Sequence, residues 1–323
     1  MYKHTLMFRI ALAALVVTAT FGVADAQRKA RSSRPHGADT GRAVLWHKVD
    51  VASQDTYLGP GGAAMQPDLS RVQFVSQEKG GYSTKYKIRD AAGNEWVAKV
   101  GKEAQSETAA VRLLASIGYY TEINYLAPTL TIPGKGTFSN VRLEARPSNV
   151  KRGDIWRWGH TPFENTPQMK GLMIMMAFLN NWDMKAANNK IFHTDGLDEY
   201  VISDLGATFG KPGPIHLPLF WRIGRSRNDP KGYSKTHLVN GTSDYKVRVA
   251  FQGKNGSQMH DFTKEDARWL ADLLTQLRDD QIRDMFRAAN YSTGDIHTLT
   301  KAVKARIAEL DRAAYDRRIA GRP

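Results

Sequence analysis

At 323 residues the chain is long enough for one large domain or two smaller ones, and 41% hydrophobic with 24% charged residues is a globular composition. It contains no cysteine, which excludes a disulfide scaffold, a thiol nucleophile, Cys-ligated zinc and an iron–sulfur cluster. Forty-six Lys and Arg against 32 Asp and Glu leave a formal charge of +14, which favours nucleic acid, anionic lipid, acidic protein or phosphate-bearing ligands as partners.

Residues 1–26 have a basic start (Lys3, Arg9), an apolar run from Ile10 to Val23 and the small-residue ending Ala24-Asp25-Ala26. This pattern predicts a secretory signal cleaved before Gln27. The apolar run is about 14 residues, short of the roughly 20 needed to span a bilayer, and no later stretch is longer. The expectation is an exported protein, periplasmic or extracellular, with no transmembrane helix after cleavage. The mature chain loses Lys3, Arg9 and Asp25.

Residues 27–70 are expected to form a flexible basic leader and a segment without an assignable element. Gln27 to Arg42 is basic, bears Ser, Gly and Pro, and lacks periodic apolar positions. Three antiparallel strands are predicted next, at Val72–Val75, Thr84–Ile88 and Glu95–Val100, with turns at Gly80-Gly81 and Asp90–Asn94. A helix over Glu103–Ile117 follows, with Ala110, Val111, Leu114 and Ile117 at helical spacing and Gly118 as its stop. Extended segments at Leu126–Ile132 and Val141–Arg146 complete a strand-rich region, 71–146.

The remainder, 147–323, reads as mainly helical. Thr166-Pro167 is an N-cap with Pro at the first helical position, and Met169–Leu179 is apolar nearly all round, which predicts a helix buried on every side. Glu199–Ser203 reads as a short buried strand. Thr263 caps an amphipathic helix carrying Trp269, Leu270, Leu273, Leu274 and Leu277, and Leu299, Val303 and Leu310 mark the last helix.

Five polar residues sit where burial patterning would not put them. Lys99 lies inside the apolar run Trp96–Val100, where a charge is costly unless paired or bound to an anion. Glu107 precedes Ala110, Val111 and Leu114 by three, four and seven residues, so its carboxylate falls on the buried stripe, with Glu103 one turn earlier as the competing partner for Lys99. Asp183 and Asn188 stand five apart after the buried helix, and Asp204 ends the following strand before Leu205-Gly206. Each alone also fits a surface turn. A carboxylate for a hydroxyl proton, an amide and a carboxylate for Mg²⁺, and a lysine for phosphates are the parts that phosphoryl transfer requires.

In this order the residues resemble the protein-kinase-like superfamily. Val97-Ala98-Lys99 is similar to its strand lysine motif and Ser106–Ala110 to its helix glutamate. Asp183–Asn188 resembles the Asp-x-x-x-x-Asn catalytic loop, with Lys185 second after the aspartate, and Asp204-Leu205-Gly206 resembles the Asp-Phe-Gly triplet. Glu78–Thr84 stands where the phosphate-covering glycine loop belongs, but lacks Gly-x-Gly-x-x-Gly. Trp182 replaces the Arg before the catalytic Asp, and no Ala-Pro-Glu follows the triplet. The style is that of atypical members, such as HipA-like, phosphatidylinositol-kinase-like and secretory-pathway kinases.

The resemblance implies an α+β, two-lobed fold, with an antiparallel-sheet N-lobe (71–146) carrying one helix and a mainly helical C-lobe (147–323). It implies ATP with Mg²⁺ or Mn²⁺ as cofactors and phosphoryl transfer to a hydroxyl of a protein or small molecule, the acceptor acidic or anionic. Asp183 and Lys185 would be catalytic. Lys99, Glu107, Gly80, Gly81 and Ser83 would serve the nucleotide, and Asn188 and Asp204 the metal, with Asn189 as alternative to Asn188. The adenine-contacting hinge would fall near Leu143–Arg146. Two alternatives remain: AMP transfer on the same scaffold, and a pseudokinase-type non-catalytic module that engages an acidic partner or envelope component.

Other chemistries lack their motifs. There is no Gly-x-x-x-x-Gly-Lys-Ser/Thr, no His-Glu-x-x-His and no Gly-x-Ser-x-Gly. Arg222–Arg227 beside Trp221 matches no specific nucleic-acid motif and reads as a solvated basic loop.

Overall fold

The computed structural model describes residues 41–79, 83–213 and 224–316. The signal-like segment, nearly all of the leader, the Gly80-Gly81 turn and residues 221–223 of the basic loop lie outside them.

An antiparallel sheet comes first. Strands β2 (Gln73–Glu78), β3 (Thr84–Arg89), β4 (Glu95–Val100), β5 (Asn124–Ile132) and β6 (Gly136–Ala145) lie in the order β2-β3-β4-β6-β5. Alternation along the strands sorts their side chains between two faces. Trp96 and Ala98 join Ile88, Val141 and Leu143 in an apolar cluster on one face. Register pairs Lys99 with Arg142 and Val97 with Glu144 on the other, so charge falls on the face that the helix covers.

Helix α1 (Glu103–Ser116) crosses between β4 and β5. Ala109, Ala110, Val111, Leu113 and Leu114 enter the large core cluster, shared with the helical region. Gly118 ends this stretch with φ +95, and a Cβ there would lie 2.2 Å from the His47 carbonyl oxygen, so glycine is required both for the turn and for the close approach.

The second region carries α2 (Pro167–Phe178), α3 (Pro230–Tyr233), α4 (Lys264–Leu274), α5 (Asp279–Ala288) and α6 (Thr293–Tyr315). Thr166 caps α2 as expected, its hydroxyl accepting from the Met169 N–H at 3.2 Å. Met173 through Phe178 are buried without interruption. Thr263 and Asp266 form a capping box on α4.

Sheet first and helices after is the α+β arrangement expected from the sequence, and it is the one observed. The sequence reading missed several pieces. β1 (Arg42–Val44) starts within the expected leader and pairs in parallel with β9 (Leu197–Ile202). β8 (Asn189–Thr194) forms a hairpin with β9, and β7 (Lys151–Arg152) pairs β8 on its other edge. A small antiparallel sheet of β10 (Val239–Thr242), β11 (Lys246–Val249) and β12 (Phe262–Thr263) was also unforeseen. No helix among the described residues is long and apolar enough to cross a membrane.

Candidate functional site

Lys99 is the central charge of the site. It is 4% exposed, on the helix-facing side of β4, and its ammonium is ringed by carboxylates. Nζ lies 2.8 Å from Glu107 Oε2, 3.0 Å from Glu103 Oε2 and 3.4 Å from Asp204 Oδ1. The sequence posed Glu107 and Glu103 as competitors for this lysine. Both take it, because they are one turn apart on the same face of α1. Burial pulls the Lys99 pKa down, but Glu107 and Asp204 outweigh it and the net shift is upward, so the ammonium stays charged. Glu107, 1% exposed, also receives Arg142 at 3.2 Å.

Asp204 is brought to the lysine by the segment after β9. Gly206 permits this, since a Cβ there would come within 2.8 Å of Glu103 Cβ, and its carbonyl accepts from Ser106 Oγ at 3.2 Å. Asp204 Oδ1 also accepts from the Gly206 N–H at 3.1 Å. Burial raises the Asp204 carboxyl pKa, yet Lys99, the Gly206 N–H and Arg142 together hold it below the usual value. Its side chain remains 38% exposed.

Asp183 follows the C-terminal end of α2. Its N–H donates to Asn181 Oδ1 at 3.3 Å, and its carbonyl accepts from Asn188 Nδ2 at 2.8 Å, which ties the loop across its own five-residue spacing. Its carboxylate is flanked by Lys254 Nζ at 2.6 Å and Lys185 Nζ at 3.0 Å. Burial pushes its pKa up, and the two lysines more than reverse this.

Lys99, Asp183, Lys185, Asp204 and Ser83 all line one cleft of about 610 Å³, within the range of small-molecule sites. Asn188 adjoins it through Asp183, and Glu107 stands behind Lys99. Ser83 Oγ donates to Glu103 Oε2 at 2.9 Å. Gly80 and Gly81 lie outside the described residues. Asn189 turns elsewhere, donating from Nδ2 to the Trp156 carbonyl at 3.2 Å, so Asn188 is the better placed of the two amides.

The sequence missed Lys85, Lys102, Arg225, Arg227 and Lys254, which also face the cleft, as does Glu103, foreseen only as the rival of Glu107. Arg225 and Arg227 correct the solvated-loop reading: their guanidinium carbons lie 5.2 and 5.0 Å from the Trp182 ring centroid, and Arg227 pairs with Glu103. Trp182 Nε1 donates to the Ser226 carbonyl at 3.1 Å and fixes that segment.

The donor set suits Mg²⁺. Asp204 and Asn188 carry the oxygen atoms a hard cation takes, and Lys99 and the Gly206 N–H both engage the same Asp204 oxygen, Oδ1. No group of three or more His, Asp or Glu among the described residues forms a complete cage. An ion here would share its ligands with phosphates and water, which is the usual habit of Mg²⁺.

No family model matches the chain, and no curated protein matches it. Among solved structures, that of a Helicobacter pylori proinflammatory kinase, CtkA, is similar at 10% identity and a TM-score of 0.47, over 78% of this chain and 99% of its own.

Proposed function

We propose that this chain is an exported, kinase-like phosphotransferase that binds ATP with Mg²⁺ or Mn²⁺ and transfers a phosphoryl group to a hydroxyl of a protein or small molecule. The observation that carries this reading is the Lys99 ammonium held at once by Glu107 and Asp204 on a cleft that Asp183 also enters.

The roles follow from the chemistry. Glu107, itself locked by Arg142, fixes the Lys99 ammonium, which would hold phosphate oxygens and offset the charge that develops on the transferred group. Mg²⁺ held by Asp204 and Asn188 would supply further charge neutralisation on the phosphates. Asp183 would orient the acceptor hydroxyl. Its oxygen forms the new bond to phosphorus as the bond from the terminal phosphorus to the bridging oxygen breaks, and the hydroxyl proton passes to the Asp183 carboxylate. With its pKa lowered by Lys254 and Lys185, Asp183 is ionised at neutral pH but weakly basic. That suits a loose transition state, in which orienting the nucleophile matters more than early proton removal. The signal-like residues 1–26 would direct the protein to the periplasm or outside.

One observation favours a second reading. Both Asp183 oxygens are held by lysines, at 2.6 and 3.0 Å, which neutralises the carboxylate that would take the proton and suits a non-catalytic module whose cationic cleft engages an acidic partner. Incubation of the purified protein with Mg²⁺ and ATP labelled in either the α or the γ phosphate separates the readings. Label from the γ position on protein or released as phosphate, lost in Asp183→Asn and Asp204→Ala, supports phosphoryl transfer. Label from the α position means AMP transfer. Neither label moving while ATP still binds counts against self-transfer and hydrolysis and favours the non-catalytic reading.

A further inference from the structure

The segment expected from the resemblance to contact adenine, residues 143–146, is engaged by the protein itself. The Ala145 N–H donates to the Ile123 carbonyl and the Arg146 N–H to the Glu95 carbonyl, each at 2.9 Å. The Ala145 carbonyl accepts from Arg152 Nη2 at 2.8 Å. Both N–H donors of residues 145 and 146, and the Ala145 carbonyl, are thus already engaged within the protein.

Arg152 is the reason. It reaches from β7 to the end of β6, where it binds Glu144 at 2.6 Å as well as the Ala145 carbonyl, and its guanidinium carbon lies 4.3 Å from the Phe192 ring centroid. Glu144 is in turn paired with Arg142 at 2.9 Å. A planar base entering between β6 and β8 would have to displace a guanidinium that is both ion-paired and stacked, and leave buried Glu144 short of a partner. Residues 143–146 take no part in lining the cleft.

The cleft itself is built for phosphate. Among the described residues, its small-lobe wall bears Lys85, Lys99 and Lys102, and its large-lobe wall bears Lys185, Lys254, Arg225 and Arg227, against the acids Glu103, Asp183 and Asp204. Its one aromatic side chain among the described residues, Trp182, carries Arg225 and Arg227 at its ring and so presents cations to the cleft. Lysine and arginine in this excess match the charge of a polyphosphate, and the guanidinium fork suits its oxygens.

We propose that the cleft selects its ligand by the polyphosphate and not by the base, so that it accepts nucleoside triphosphates of any base. This rests on the nucleotide reading above and narrows it. Titration calorimetry of the purified protein with ATP, GTP and inorganic tripolyphosphate, each with Mg²⁺, tests it. The three dissociation constants should agree within about fivefold. An ATP preference over GTP greater than about fivefold overturns base tolerance while leaving the nucleotide reading intact. Tripolyphosphate failing to bind where both nucleotides do overturns recognition by phosphate. Failure of all three to bind overturns this inference and the nucleotide reading together.

Discussion

A lysine beneath three carboxylates is a residue whose loss should be felt twice. Lys99→Met takes the shared cation from buried Glu107 and Glu103, leaving Glu107 to Arg142 and Glu103 to Arg227, at a cost of up to about 3–5 kcal/mol. Lys185, whose side chain is 45% exposed, pairs with Asp183 at the surface, so Lys185→Met should cost less than about 1 kcal/mol. Urea denaturation of the two variants side by side measures this, and equal midpoint shifts would contradict the burial argument. Asp183→Asn keeps the loop hydrogen bonds, which run through Asp183 backbone atoms, so nucleotide binding should persist while phosphoryl transfer falls by about 10²–10⁴-fold. The folded Asp183 pKa lies below its ordinary 3.8, so its contribution to stability is present above that pH and lost as pH falls below it. Lys99 and Glu107 were legible in the sequence because a charge inside an apolar pattern is an anomaly. Glu103 was visible only as a rival, and Arg225, Arg227 and Lys254 were not legible at all. A basic residue in an irregular segment has the same local pattern whether it faces water or a cleft.

Helix α2 delivers Asp183, and what holds its C-terminal end holds the loop. Buried Arg306 of α6 donates to the Ala177 carbonyl at 3.1 Å, the Phe178 carbonyl at 2.8 Å and Asn180 Oδ1 at 3.2 Å, satisfying acceptors that a helix end leaves open. Arg306→Met should cost about 2–3 kcal/mol and raise amide exchange across residues 180–188. Thr166→Ala, at the opposite end of α2, should cost about 1 kcal/mol and leave that exchange unchanged. Similar exchange in both variants would disconnect Arg306 from the loop. Helix α2 itself was readable from Thr166-Pro167 and its uninterrupted apolar run. Strand β8 was not, because Asn188-Asn189 resembles a turn, yet its hairpin carried a signal. Asp195 and Gly196, with φ of +35 and +77, join residues 194 and 197 as a two-residue turn, a signature of primed hairpin turns. β1 lacked any such mark, since three residues of a basic segment gain their strand only from the β9 edge they meet.

At the scale of the molecule, the sheet and the helical region share α1, and the buried charges beneath it set the response to pH. Glu122 and Glu144 flank Arg142 at 3.0 and 2.9 Å. Burial and the neighbouring Glu144 raise the Glu122 pKa above its ordinary 4.5, while Arg142, Arg146 and Arg152 overcome burial to hold Glu144 low. A raised carboxyl binds more protons folded than unfolded, so its stabilisation is present below pH 4.5 and declines as pH rises above it. Glu122→Gln cannot titrate. Its stability relative to the parent should grow as pH rises from 4.5, read as melting temperature across a buffer series, and a constant difference would refute this. The order of sheet and helices was legible because each has its own apolar period. The charge network was not, since Glu122, Arg142, Glu144 and Arg152 meet only through register and the β7–β8 pairing.

The central claim is that Lys99, Asp183 and Asp204 make one nucleotide site, and the measurement that bears on it most directly is a thermal-shift titration with ATP, with and without Mg²⁺. Binding to the native state alone adds about 2.7 kcal/mol at roughly a hundredfold excess over Kd. A Mg²⁺-dependent rise in melting temperature, absent in Asp204→Ala, is the result expected. No rise at saturating ATP and Mg²⁺, or an equal rise in Asp204→Ala, would contradict it.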